Sequence, residues 1–478
     1  MVNYMNKIIE RIQNEFSETP DLIIRKININ LTKYVYIAYL ETVSSSDKIN
    51  DYILKNLNYF ISIKKLTDIE KIIPSPNIKF VKELDTLEYY LTNGFTIIVL
   101  KNTIIAVETR ADINRSIPSP DVEQALYGPK DAFNENYQIN LGLIKRRIKS
   151  SHLKIKELNI GRKSNTKVGV LYINDIADSK NVNYILKILN KIDVDAIFDS
   201  GQLAQYFIEN KSEFPTVTSS ERPDKISKGL LEGKIAILVD TSPFVLLLPA
   251  FFGDFINPIV DNYNKNIKFN ALRILRITCF FLTIIVPGYY IAIINYNQET
   301  IPTSLLINFS SQRSQVPFPS IVEALILLFI CEMLRESDMR FPSSYGSAVS
   351  ILGALVLGEA AVSAGIVSPI MIIIIAFTFI TSLMFVEFEM INAIRHFRIV
   401  FLFFASVYGL FGLIISTLIF FIHICSLKTL GKPYFYPIAP FNKNYFNKMF
   451  IKSDSTKDTK RSNLLAAKNI TKQRNDLL

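Results

Sequence analysis

Cysteine and histidine are scarce in this 478-residue chain, at three residues each, and charge is scarce across its second half. Cys279, Cys331 and Cys425 all sit in apolar runs, where a thiol behaves as a small hydrophobe, so neither a disulfide framework nor a metal centre is expected. His152, His396 and His423 lie far apart in sequence and none stands near a cysteine at ligand spacing, which argues against a zinc or nucleophile site. No GxxxxGK[ST] or GxGxxG motif occurs; Gly233-Lys234 alone reads as a helix end before a strand. The opening MVNYMNKIIERIQNEF lacks the basic, then apolar, then small-residue order of a signal peptide, so the first half is expected in the cytosol. Together these absences leave no catalytic constellation and no cofactor site; the chain is not expected to be an enzyme.

The distribution of charge divides the chain. Residues 1–270 hold 35 Lys/Arg and 32 Asp/Glu, residues 271–442 only 9 and 8, and residues 443–478 hold 9 and 3. Of the net +10, +6 falls in that short tail, which makes the basic balance a signal of membrane topology; nucleic-acid binding is not expected.

The fold class expected is multidomain: a soluble α/β region of two small subdomains followed by an all-α polytopic membrane domain. Residues 1–110 read as the first subdomain, with strands at Leu22 to Ile29 and Tyr34 to Val43, helices near 47–62 and 80–92, and a hairpin of FTIIVL and TIIAVET about Lys101 and Asn102. Residues 111–265 read as the second, opening with a Pro- and Asp-rich loop at 111–134. Its expected elements are a long basic helix at 136–158, a strand at Val168 to Ile173, a helix at 180–191, a strand at Ala196 to Phe198, a helix from Gln202 and a buried strand at Lys234 to Asp240.

Residues 266–442 contain five apolar stretches, at 271–296, 318–334, 346–367, 369–388 and 398–425. Basic residues before the first stretch and in the tail place both ends on the cytosolic side, which requires an even number of spans. Four spans are expected, with 346–367 re-entrant or tilted against a neighbour; alternatively, Pro243 to Ile256 lies in the interface. Residues 443–478 read as a disordered basic cytosolic tail.

Carboxylates at bilayer depth are the most informative side chains, because a charge there costs about 2.5–3.5 kcal/mol even on lenient insertion scales. They are Glu323, Glu332 and Glu359; Glu332, beside Arg335 and Glu336, reads as a solvated or salt-bridged helix end. Ser347, Ser350, Ala354, Gly358, Ala361 and Gly365 step by three or four, forming one small-residue face with Gly353 beside it. That face reads as close helix packing within one subunit or as a pore-lining contact between subunits, with Glu359 one position off the stripe as a potential carboxylate ring.

Ile301-Pro302-Thr303, Arg313, VPFP (316–319), Glu323-Ala-Leu325, LRES (334–337), Arg340 and Pro342 resemble the A subunit of the GerA family of spore germinant receptors. GSAVSILGALVLGEAAVSAGIVSP (346–369) is the most specific part. GPKDAF (128–133), Asn140, Arg146, Arg147, Glu221-Arg-Pro-Asp224 and LLEGKIAILVDTSPFVLLLP (230–249) extend the likeness upstream. Tyr127 stands where the family commonly has Arg, and Glu359 where it commonly has Gln. The resemblance implies a nutrient-responsive receptor of A, B and lipoprotein C subunits in the inner spore membrane, with the A subunit a homo-oligomeric cation channel. On the residues themselves, Pro302, Pro317, Pro319, Arg335, Glu336, Arg340 and Pro342 read first as structural, the prolines shaping a return to the bilayer and the charges an ion-paired cytosolic turn. The alternative function is a secondary transporter of a small nutrient or ion, since helices broken by Gly and Pro also build substrate sites.

Overall fold

The computed structural model describes residues 2–30, 33–56, 72–81, 84–100, 103–111, 118–120, 122–123, 127–208, 212–263, 268–340, 358–385, 387–450, 459–466 and 468–472. Helix α1 (Val2–Glu15) opens the chain. Five antiparallel strands follow: β1 (Leu22–Asn30), β2 (Lys33–Leu40), β3 (Ile78–Val81), β4 (Phe95–Leu100) and β5 (Thr103–Glu108), in the order β1-β2-β4-β5-β3. Met5, Ile8, Ile9 and Ile12 recur at helical spacing and bury against one sheet face with Ala38, Leu40, Ile97 and Val99. Val35, Ile37, Ile98 and Ile105 alternate onto the other face. The helix expected near 80–92 is shortened, because Ile78–Val81 pairs with β5 and the helical residues are a 3₁₀ turn at Leu84–Thr86 followed by α2 (Leu87–Thr92).

The second unit comprises α3 (Tyr137–Arg147), β6 (Leu153–Ile160), β7 (Thr166–Ile173), α4 (Ser179–Leu189), β8 (Thr218–Ser220), α5 (Pro223–Glu232), β9 (Ile235–Val239) and β10 (Val245–Leu248). Its strand order, β6-β7-β9-β10-β8, repeats that of the first sheet strand for strand. The soluble half is therefore one topology used twice. The long helix expected over 136–158 ends at Arg147, and LKIKELNI, with apolar residues at alternate positions through its first half, pairs with β7 from Leu153 to Ile160. Ala196 to Phe198 is irregular; Asp199 then caps a short helix, Ser200–Ala204, by accepting from the Gly201 amide. Pro243 to Ile256 does not lie in a membrane interface, because Val245–Leu248 is held between β8 and β9 and Phe252–Ile256 packs into the core.

A buried ion pair fastens the two units. Lys145 on α3 reaches Asp21 ahead of β1, both side chains under a tenth exposed, and Thr42 donates to the same carboxylate at 2.5 Å. Burial pulls the Lys145 ammonium below its ordinary range, with Asp21 opposing that pull.

The helical half consists of α6 (Lys268–Tyr296), α7 (Thr303–Arg313), α8 (Ser320–Arg340), a helical segment at 358–363, α9 (Pro369–Ser382) and α10 (Phe388–Ser426). Among the described residues, Ala271–Tyr296 and Glu389–Ser426 are long and apolar enough to cross a membrane. The second cannot be one straight rod: in a straight helix Phe397 and Phe420 would stand about 35 Å apart, yet their ring centroids lie 5.1 Å apart. Gly409, at φ 57° and ψ −138°, folds α10 back on itself into two antiparallel arms, 388–408 and 410–426, in a backbone region open essentially to glycine alone.

Contacts between helices define two ends. Glu387, leading into α10, is bonded to Lys225 of the soluble half, while the Tyr296 hydroxyl donates to the carbonyls of Ser406 and Val407 at the far end. Five described passes run between these ends: α6, α8, α9 and the two arms of α10. The apolar stretch 398–425 thus supplies the turn and most of two passes, where the sequence suggested one.

The tail differs from its expected disorder where it is described. Leu465 and Ala466 are buried, Ala466 within the core of the second unit and bridged to Ala177. Lys432 donates to the carbonyl of Leu464 and Arg461 to that of Leu231. Two apolar side chains among many charges suffice to anchor the segment, a feature that composition averages away.

Candidate functional site

At the far end, Glu323 occupies the first turn of α8 and is 1% exposed. One of its carboxyl oxygens accepts from both the Ser368 amide, at 2.9 Å, and the Ser368 hydroxyl, at 2.8 Å. Ser368 is the N-cap of α9 and Pro369 its first residue, so the carboxyl satisfies an amide that the helix leaves unpaired. Gly365, at φ +67°, makes the turn into that cap; a Cβ there would stand 3.1 Å from the carbonyl of Gln315. Beside it, Asn295 donates to the Ser320 hydroxyl at 2.8 Å and accepts from Arg313 at 3.2 Å. Pro302, at the N-cap of α7, and Pro317 and Pro319, just before α8, are exposed, and the eleven-residue α7 occupies most of the segment between them.

Glu359 is exposed on the segment 358–363, and no described residue lies within 4 Å of a Cβ built on Gly358. Ala361 and Val362 pack partly against the cluster of Ile291, Leu327 and Met371. Ser350, Gly353, Ala354 and Pro342 lie outside the described residues, as does the side chain of Arg340. Arg335 reaches across to α9, donating to the Ser382 hydroxyl at 2.6 Å and lying over the Phe379 ring. Glu336 is exposed, and Glu332 pairs with Arg395 of α10 at 2.8 Å.

At the near end, the soluble half grips the helical hairpin. Lys225 on α5 sits between Glu123, at 2.6 Å, and Glu387, at 2.8 Å; those carboxylates raise its pKa against the opposing effect of burial. Arg222, 1% exposed, makes a forked contact with Asp224 at 2.8 and 3.1 Å and donates to the carbonyls of Glu123 and Pro129. Burial would push the Asp224 carboxyl up, but Arg222 and the Tyr263 hydroxyl outweigh it and hold the group below the ordinary carboxylate range. Phe214 inserts its ring among Phe397, Phe420, His423 and Tyr434, and the Ser212 hydroxyl lies 2.9 Å from His423 Nε2. Asp261 pairs with Arg276 at the base of α6. Among the described residues, no group of three or more His, Cys, Asp or Glu is placed to hold a metal ion.

The family model described as Bacillus/Clostridium GerA spore germination protein matches residues 10–464. The chain belongs to the GerA family of spore germination proteins. It is similar to spore germination protein KA of Bacillus subtilis (strain 168), at 38% identity over 91% of this chain and 82% of that protein. Spore germination protein GerLA of Bacillus cereus matches at 30% identity over 97% of this chain and 96% of its own length. The crystal structure of the N-terminal domain of the A subunit of the Bacillus megaterium spore germinant receptor GerK3 aligns with 51% of this chain and 94% of that one, at 28% identity and a TM-score of 0.38. The apolar helices of this GerA-family chain fit membrane association.

Within this GerA-family protein, three of the motifs that carried the resemblance have structural partners. Glu323 and Ser368 of the 346–369 run bond to each other, and Glu221-Arg-Pro-Asp224 forms the near-end joint, where Glu221 accepts from the amides of Val122 and Glu123 at 2.7 Å. Lys225, Glu387, Phe214 and Arg398 were not singled out by the sequence. The hint was Glu387, with Glu389, ahead of an apolar run; its partner lies 162 residues away and no local pattern identifies it.

Proposed function

We propose that this protein is the A subunit of a spore germinant receptor in the inner spore membrane. In this reading it assembles with copies of itself, with a membrane B subunit and with a lipoprotein C subunit, and opens a cation-conducting path in response to nutrient. The soluble half and the tail face the cytosol. Returning both ends to one side requires an even number of crossings, one more than the five described passes.

One observation carries the channel reading: Glu359 is exposed, beside an open Gly358, on a segment otherwise built from apolar and small residues. A carboxylate left uncovered at that depth in one subunit is satisfied by a water-filled path enclosed by several subunits, and a ring of such groups favours cations. The Glu323 to Ser368 contact fixes the far end of that segment relative to α8 and α9, so Glu323 and Gly365 position the path.

The test is ion flux in reconstituted vesicles and in spores. Glu359→Gln and Glu359→Ala are expected to lower the preference for potassium over chloride. Wild-type flux and selectivity in both variants would refute the assignment. Gly358→Leu is expected to reduce cross-linking between subunits; normal cross-linking would return the small-residue face to packing within one subunit.

A further inference from the structure

Three arginines lie near one another at the near end of the helical half, with the partly exposed carboxylate of Glu332 beside them. Arg335 extends from α8, and Arg395 and Arg398 stand one turn apart on the first arm of α10. Arg395 pairs with Glu332, and Arg335 is bonded to Ser382. Arg398 is 7% exposed; its Nε has no hydrogen-bond partner among the described residues, and its surroundings are Arg335, Glu332, Arg395 and Cys331. A buried guanidinium with an unused donor beside two others calls for an anion.

The position of the cluster identifies the source of that anion. Glu387, which Lys225 holds to the soluble half, precedes Arg395 by eight residues, about 12 Å of helix. The cluster therefore sits just inside the near end of the bundle, at headgroup level. The residues that flank it in sequence supply an apolar rim: Phe329, Met333, Leu383 and Ile399 are all more than half exposed. A soluble phosphate has no use for such a rim, whereas a phospholipid places its phosphate among the arginines and its acyl chains along those side chains. Guanidinium forks match phosphate oxygens two by two, and basic pockets between spanning helices on the cytoplasmic side suit anionic headgroups.

We propose that Arg335, Arg395 and Arg398 bind the phosphate of an anionic phospholipid of the leaflet next to the soluble half, with Glu332 orienting Arg395. This does not depend on ion conduction.

The experiment uses the full chain in nanodiscs of phosphatidylcholine with a minor fraction of phosphatidylglycerol or cardiolipin, reading retained lipid by native mass spectrometry and thermal unfolding in parallel. The wild type is expected to enrich the anionic lipid and to unfold at higher temperature with it. Arg398→Gln and Arg335→Gln are each expected to lower the enrichment about tenfold, the loss of one charge-assisted contact. Arg398→Lys, which keeps the charge and loses the fork, is expected to fall between. Lys55→Gln, in an exposed pair on the first unit, is expected to bind as the wild type does. Equal enrichment in wild type and both glutamine variants would overturn the proposal, as would no enrichment by the wild type. Inorganic phosphate or glycerol phosphate added to pure phosphatidylcholine discs is expected to give no stabilisation; full stabilisation by either would assign the arginines to a soluble anion instead.

Discussion

Removing the carboxyl of Glu323 exposes how the far end is held. Both of its donors, the amide and hydroxyl of Ser368, are buried, and Ser368 is 0% exposed, so water cannot replace the lost acceptor. Leaving a buried donor unsatisfied costs about 1–3 kcal/mol, so Glu323→Ala, which orphans two, is expected to cost about 4 kcal/mol. Glu323→Gln retains an acceptor oxygen and is expected to cost about 1 kcal/mol, mainly lost charge assistance. Ser368→Ala removes one donor but leaves the amide bonded, again costing about 1 kcal/mol. Because the two side chains share one interaction, Glu323→Ala and Ser368→Ala together are expected to cost less than their sum by about 1 kcal/mol. Thermal unfolding in detergent micelles, followed by labelling of the buried Cys279 with a thiol-reactive dye, measures each difference. An alanine variant that unfolds with the wild type, or strictly additive losses, would refute the reasoning.

Three further outcomes follow from other contacts. Asp21→Ala strands the buried Lys145 ammonium and is expected to cost about 3–5 kcal/mol, whereas Asp21→Leu with Lys145→Met is expected to recover most of it; chemical denaturation of the soluble half separates the two cases. Phe214→Ala empties an aromatic site touched by four rings, an expected loss of about 3–5 kcal/mol, read as faster proteolysis between the soluble and helical halves; unchanged digestion counts against a rigid joint. Gly409→Ala forces a side chain into a region nearly reserved for glycine and puts its Cβ 2.8 Å from Cβ of Tyr296, so a loss of about 1–3 kcal/mol is expected, with cross-linking across the two arms as the check.

The near-end joint gives the receptor reading a physical basis for coupling. Lys225, Arg222 and Phe214 join the soluble half directly to the base of the hairpin, and Tyr296 joins the top of α6 to the turn of that hairpin. A displacement of α5 thus bears on Glu387 and on both arms of α10, which contact α6 along its length.

By itself, the sequence determined the division into a charged α/β half and an apolar helical half, the β4–β5 hairpin, the buried strand at 235–239 and the family. Each is a local signal: an apolar run, a period of two, a pair of turn residues or an ordered motif. It misread LKIKELNI as helix because lysine and leucine suit a helix as well as a strand, and only pairing with β7 decides between them. It missed the repeated sheet topology, because the two units share strand order without sharing side chains. It took 398–425 for one span because a fold-back at a single glycine leaves hydropathy unchanged, and only the packing of Phe397 on Phe420 separates two arms from one rod. Tertiary structure alone also decided the partners of the charges: Lys225 with Glu387, Glu323 with Ser368, and Arg395 with Glu332 are each separated by more than forty residues. A charge within an apolar stretch can be read along the chain, but its compensation depends on which helices the fold sets side by side.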